Sequence, residues 1–357
     1  MPPVTARDEG AQRLLLHDLL GALERPERAD RLGAEAAADD GLLLQVARRH
    51  RLTPLLSAVC GKSLPADVGE ACRRDRLMTA ARNLMLAQAA EECLAAFAAA
   101  AIPVIVLKGL AYESAYAAAG VRPTADVDLL VPDDSRRAAF AVLDRMGFEP
   151  RAAAPGFDEA DYHEVAWRRG NIEVDLHLAL APYVRCHIDY ADVWARAVTT
   201  PIGRGQGKAL SPPHAAVFHA LHMAIDHFDV PALYLLDLSR QLPSDAAMDA
   251  AWATARAWGC RRPFATAVAL AEAFLPVWAA SHVSQPAPWF AARVASRYGP
   301  IAPLPRPAQL ARKLLHFDDP VTALRYTAVQ ARRKARELIE NRLRHRPARE
   351  RLGLDPK

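Results

Sequence analysis

Hydrophobic and polar positions change their rhythm twice along this chain. Over residues 1 to about 97, apolar side chains recur every three or four positions, in Leu14–Leu20, Leu42–Val46 and the Ala-rich Leu77–Phe97. That period predicts helices, broken at Pro54 and Gly61–Pro65. At Ile102 the pattern shifts. Ile102–Leu107 is a β-branched apolar run that suits a buried strand. Lys108-Gly109 ends it, and the Ala-rich stretch Leu110–Ala119 predicts a helix stopped by Gly120. The loop Arg122–Asp126 leads to a second strand, Val127–Val131. Pro132 and Asp133 open a helix that Gly147 closes. Tyr162–Arg168 and Ile172–Leu178, separated by Arg169-Gly170-Asn171, read as a hairpin. From Pro212 the helical period returns over Ala215–His227, Ala232–Leu242, Ala246–Trp258 and Pro263–Phe274. Pro286, Pro288, Pro300, Pro303, Pro305 and Pro307 mark a linker or irregular wrap, and Val321–Arg346 predicts a basic, polar helix. The expected class is α+β: a small mixed-sheet core at 98–205, helical regions at 1–97 and 206–305, and a basic helical tail at 306–357.

Composition narrows the functional classes. The chain has 357 residues, 52% hydrophobic and 24% charged, which excludes wholesale disorder and leaves room for two or three domains of about 150 residues. The net charge of +4 is unevenly spread. Arg306–Lys357 holds 14 basic and 6 acidic residues, and the rest holds 31 and 35. The longest apolar run, Leu94–Leu107, contains Pro103 and is 14 residues long, short of the roughly 20 that span a bilayer. No membrane association is expected. Asp8, Glu9 and Asp18 sit where a signal peptide would be basic and apolar. The five cysteines show no CxxC spacing, so a reduced, cytoplasmic protein is expected. Only six of the 45 basic residues are lysine, a bias that matches a GC-rich bacterial genome.

The candidate chemistry lies in the central unit. Asp126 and Asp128 stand at i and i+2, so a strand presents both carboxylates on one face. Adjacent like charges repel unless they are solvated or share a cation. Two such carboxylates suit a pair of Mg²⁺ ions, which take hard oxygen ligands and substrate phosphates. In Ile172–His177, Glu173, Asp175 and His177 share a face opposite Ile172, Val174 and Leu176. If that strand lies beside the second one, Asp175 completes a three-carboxylate cluster. Gly109 at a strand-to-helix turn lets backbone N–H groups approach an anion, and Lys108 adds a point charge. Arg122 suits either a phosphate or the carboxylates themselves. Each motif alone is common on solvated surfaces, and their combination in one short unit is the specific signal.

That combination carries a resemblance. The stretch VIVLKGLAYESAYAAAGVRPTADVDLLVP, with IEVDLHLAL downstream, resembles the bacterial uncharacterised nucleotidyltransferase family, within the DNA polymerase beta-type nucleotidyltransferase superfamily. ARRHRLTPLLSAV and LHMAIDHFDVPALYLLDLSRQL resemble flanking segments of that family, over about residues 40–290. The resemblance implies Mg²⁺-dependent, two-metal transfer of a nucleoside monophosphate from ATP or another NTP to an unknown acceptor: a peptide, protein, small molecule or nucleic acid. It implies that Asp126, Asp128 and Asp175 hold the metals, and it places Lys108, Gly109, Arg122 and His177 around the nucleotide. Lys108-Gly109 stands where the superfamily has Gly-Ser or Gly-Gly, which removes a usual hydroxyl contact to phosphate. Asp237 matches a family position without a readable role. A non-catalytic nucleotide-binding or regulatory module and a helical protein-interaction scaffold are the competing classes.

Two further features stand apart. His214, His219, His222 and His227 share one helical segment, and with Asp226 they offer either metal-ligand spacing or a face toward the site. The tail from Arg332-Arg333-Lys334 to Arg351 offers a polyanion surface but lacks interleaved aromatics, so a solvated basic helix is its plainer reading.

Overall fold

The computed structural model describes residues 6–28, 40–116, 118, 120–151, 163–182, 185–282, 287–298, 309 and 314–344. Ala117, Ala119, Tyr162, Pro286, Pro300, Pro303, Pro305, Pro307 and the tail beyond Arg344 lie outside them.

The α+β expectation holds. Among the described residues, seven strands form one mixed sheet: β1 Ile105–Val106, β2 Val127–Leu130, β3 Glu149–Pro150, β4 Glu164–Arg169, β5 Ile172–His177, β6 Val198–Ile202 and β7 Gly205–Ala209, in the order β3-β4-β5-β2-β1-β7-β6. β2 and β5 run parallel, as do β1 and β7, and the other pairs are antiparallel. β4 and β5 form the expected hairpin. Its loop is Gly170-Asn171, with Gly170 at φ 59°, the left-handed backbone that two-residue hairpins require. The β6–β7 hairpin is an addition. Its sequence, VTTPIGRGQGKA, lacks a clean apolar alternation, and it pairs through its edge with β1.

Strand alternation sorts the sheet's two faces. Val127, Leu129, Val131, Val174 and Leu176 pack with Leu86, Cys93 and Phe97 of the long helix Ala66–Ala99 and with Val142 and Leu143 of helix Arg136–Arg145. The opposite face turns Asp128, Asp175 and His177 toward helix Pro212–Ile225, where Phe218 lies with its ring centroid 6.3 Å from that of His177. A second buried cluster joins both ends of the chain: Leu16, Leu19, Leu43 and Leu56 from the N-terminal helices, and Leu221, Leu235, Phe264 and Leu270 from the later ones.

The later helices form close to their expected bounds, at Pro212–Ile225, Leu233–Gln241, Asp245–Ala257 and Arg261–Phe274. Pro320–Arg344 is the basic helix. Two expectations need correction. The proline-dense stretch contains a helix, Trp289–Ala295, started by Pro288 and anchored by the buried Phe290, Ala291 and Val294. The helix expected over Leu110–Ala119 is absent from its described residues beyond a kinked turn at Lys108–Ala111 and a 3-10 turn at Glu113–Ala115. Tertiary contacts override alanine's propensity there. Tyr112 Oη donates to Ala215 O (3.3 Å), and Tyr116 Oη donates to Asp237 Oδ1 (2.6 Å); both rings are buried under the C-terminal helices.

Candidate active site

Parallel pairing of β2 with β5 places Asp128 directly beside Asp175 and Leu130 beside His177. Antiparallel pairing of β4 with β5 adds Glu164 opposite His177. Asp126, just before β2, lines the same cavity of about 150 Å³ as Asp128, Asp175 and Glu164. The three expected carboxylates are thus together. Glu164 was not anticipated, although the hairpin's two-residue loop fixes its register opposite His177.

The cluster is electrostatically divided. Asp128 is buried, at 3% exposure. Burial opposes its charge, but Lys108 Nζ lies 2.9 Å from its Oδ1 and His177 Nε2 lies 3.0 Å from the same atom. Together they hold its carboxyl below the usual carboxylate range. Asp126 is pushed up to about 6 and Asp175 to about 7, each first by burial and then by the charge of Asp128. Like charges sharing a site shift in this direction. Glu164 Oε2 lies 3.4 Å from His177 Nδ1, so His177 sits between two carboxylates.

The donor set suits a hard divalent cation in kind: three carboxylates on one face whose mutual repulsion a cation relieves. Lys108 supplies the positive charge at Asp128. Among the described residues, no group of three or more His, Cys, Asp and Glu side chains is placed to hold a metal ion.

The turn after β1 is built by unusual backbone. Lys108 has φ 37°, and Gly109 has φ 21° and ψ −99°. A Cβ on Gly109 would meet Thr124 Cγ2 at 2.8 Å. Gly109 therefore lets the turn lie against the loop that carries Asp126. The helix behind it is four residues long, so it supplies little of the dipole expected for an anion site.

Arg122 does not pair with Asp126 or Asp128, one of the two roles expected of it; its partner is a carboxylate outside the acidic triad. It lines the cavity, yet its Nε and Nη2 donate to Oδ1 and Oδ2 of Asp237 at 2.9 and 2.8 Å. Tyr116 completes the group, and Arg240 lies 4.0 Å over the Tyr116 ring. This gives Asp237 a role: it ties the loop before β2 to helix Leu233–Gln241.

The histidine segment divides. His219 and His222 line the cavity beside Tyr234. His219 Nε2 donates to Tyr234 O at 2.9 Å, and burial pushes the imidazole down to about 4. Burial and Lys108 hold His222 well below its ordinary value. His214 instead bonds Asp192 at 3.0 Å and stacks on Trp258. Tyr234 and Arg51 also line the cavity. Arg51 carries no motif, and only the flanking resemblance around Ala47–Val59 pointed near it.

A family model for uncharacterised nucleotidyltransferases matches residues 36–276. The chain belongs to that family. This nucleotidyltransferase takes a nucleotide substrate and transfers its nucleotidyl group. No curated protein matches its sequence. Two solved structures are similar over 48% of the chain, each at 16% identity. One is the solution structure of the antibiotic-resistance factor ANT(2'')-Ia (TM-score 0.36, 90% of that chain). The other is a crystal structure of ANT(2'')-Ia with adenylyl-2''-tobramycin (TM-score 0.35, 97% of that chain). No helix among the described residues is long and apolar enough to cross a membrane.

Proposed function

We propose that this nucleotidyltransferase moves a nucleoside monophosphate from an NTP, ATP among the candidates, to a hydroxyl or phosphate acceptor with Mg²⁺ as cofactor. The observation that carries the reading is the gathering of Asp126, Asp128 and Asp175 in one cavity, with Asp128 and Asp175 in register; burial first, and then the charge of Asp128, pushes Asp126 and Asp175 toward neutrality. Asp126, Asp128 and Asp175 are the residues that would hold the Mg²⁺. Bound there, Mg²⁺ would neutralise the triphosphate and stabilise in-line displacement at its α-phosphorus, in which the acceptor oxygen bonds to that phosphorus and the α–β anhydride bond breaks to release pyrophosphate. Asp175 orients the acceptor hydroxyl and takes its proton. His177 fixes the Asp128 carboxylate from behind through the 3.0 Å bond.

One observation favours a second reading. The Lys108–Asp128 ion pair already satisfies a metal-ligand carboxylate, as a nucleotide-binding module without turnover would require. Incubation with α-³²P-labelled NTPs, Mg²⁺ and a cell extract separates the two. The enzyme reading expects label transfer that Asp126→Asn and Asp128→Asn abolish while circular dichroism stays unchanged. Nucleotide binding without transfer in the wild type establishes the module, and transfer that survives Asp128→Asn removes the site assignment.

A further inference from the structure

Among the described residues, three cationic side chains, Arg51, Lys108 and Arg122, line the acidic cavity, and two are engaged. Lys108 is bound to Asp128 and Arg122 to Asp237. The third, Arg51, makes no ion pair within 4.0 Å to a carboxylate among the described residues, and its side chain is exposed.

The backbone beneath Arg51 is informative. Helix Asp40–Arg49 ends in a Schellman motif: Leu52 N–H donates to Ala47 O (2.8 Å) and Arg51 N–H to Arg48 O (3.1 Å). The motif requires a left-handed residue at the position Arg51 holds, where glycine is usual. Arg51 has φ 56°, which is costly for a side chain with a Cβ. The helix ending Arg136–Arg145 uses Gly147 in the same place. Strain alone does not mark function, since Ala101 (φ 55°) caps the long helix in the same way, far from the carboxylates. Arg51 differs in lining the cavity and in following two residues that are both anchored to the later part of the chain. Arg49 Nη2 lies 2.8 Å from Asp229 Oδ1. The buried His50 accepts from Leu233 N at its carbonyl (3.2 Å) and from Ala232 N at Nδ1 (3.1 Å). A strained turn held this firmly projects one uncommitted guanidinium over a carboxylate-rich cavity.

We infer that Arg51 is a polyphosphate-binding residue, supplying the cationic contact to the NTP's β- and γ-phosphates that the engaged Lys108 and Arg122 do not. This rests on the nucleotidyl-transfer reading above. A guanidinium matches phosphate in a two-pronged geometry that an ammonium does not.

The test is calorimetric titration of the full chain with Mg²⁺-ATP and with Mg²⁺-tripolyphosphate, alongside thermal melts. Arg51→Ala is expected to weaken both ligands roughly tenfold to a hundredfold, the range of one or two charge-assisted hydrogen bonds. Arg51→Lys is expected to recover only part. Arg51→Gly separates binding from folding: it relieves the left-handed strain, so its melting temperature should equal or exceed the wild type's while binding weakens as in Arg51→Ala. Wild-type binding with undiminished affinity in Arg51→Gly overturns the role of Arg51 and leaves nucleotidyl transfer standing. Failure of the wild type to bind either ligand overturns both.

Discussion

Replacing Asp237 with alanine should uncouple the acid-bearing loop from the C-terminal helices at a large cost in stability. The Arg122 and Asp237 side chains are 5% and 0% exposed and meet through two hydrogen bonds of 2.9 and 2.8 Å. Truncation leaves a buried guanidinium without its anion, a change that costs about 3–5 kcal/mol. It also orphans the Tyr116 hydroxyl, which adds about 1 kcal/mol or more. Against a typical total stability of about 5–15 kcal/mol, Asp237→Ala should sit near the threshold of folding. Urea denaturation followed by circular dichroism measures the loss. The mechanism also predicts a rescue: Arg122→Met with Asp237→Leu should regain most of the stability, because a well-packed apolar pair costs little relative to a buried ion pair. The pH dependence has a defined sign. Burial opposes the Asp237 charge, but Arg122 outweighs it and holds the carboxyl below its ordinary 3.8. Its contribution is therefore complete above that value and lost as pH falls through the lower folded one. A single Asp237→Ala variant costing less than about 1 kcal/mol, the scale of an exposed pair, would refute the reasoning.

Three other outcomes follow from the same geometry. Gly109→Ala should destabilise by about 1–3 kcal/mol, the scale of overpacking and backbone strain, and adding Thr124→Ser should return the steric part by removing the methyl group 2.8 Å away; chemical denaturation of the single and double variants checks this. His219, held neutral at about 4 by burial, should make the fold less stable as pH drops from about 6.5 toward 4, by up to about 3 kcal/mol. His219→Gln should flatten that part of a stability-versus-pH curve. Phe97→Ala, at a fully buried position between the long helix and the sheet, should cost about 3–5 kcal/mol by the same denaturation assay.

Legibility of the site depended on the range of the interactions involved. Spacing put Asp126 with Asp128, and Glu173, Asp175 and His177 on one strand face, because strand alternation is local. The hairpin was legible as such, but its register was not: Arg169, expected in the loop, pairs with Ile172 and leaves a two-residue turn. Lys108 and Arg122 were recognised as unusual cations, but their partners were not readable. Arg122 meets a carboxylate 115 residues away, and no period or spacing reports such a distance. The Leu110–Ala119 helix failed for a related reason: Tyr112 and Tyr116 gain more from the buried C-terminal helices than the alanines gain from a helical turn.

The sequence by itself determined the α+β class, the strands β1, β2, β4 and β5, most of the flanking helices and the family, since all of these rest on short-range pattern and on contiguous motifs. Only the tertiary structure decided how charge is shared. Whether a cation in this cavity is committed or available depends on which carboxylates the fold brings within about 3–4 Å, where Coulomb energy in a partly dry site becomes decisive. That is why Lys108 lies on Asp128, Arg122 lies on Asp237, and Arg51, with no motif around it, is left facing the acids.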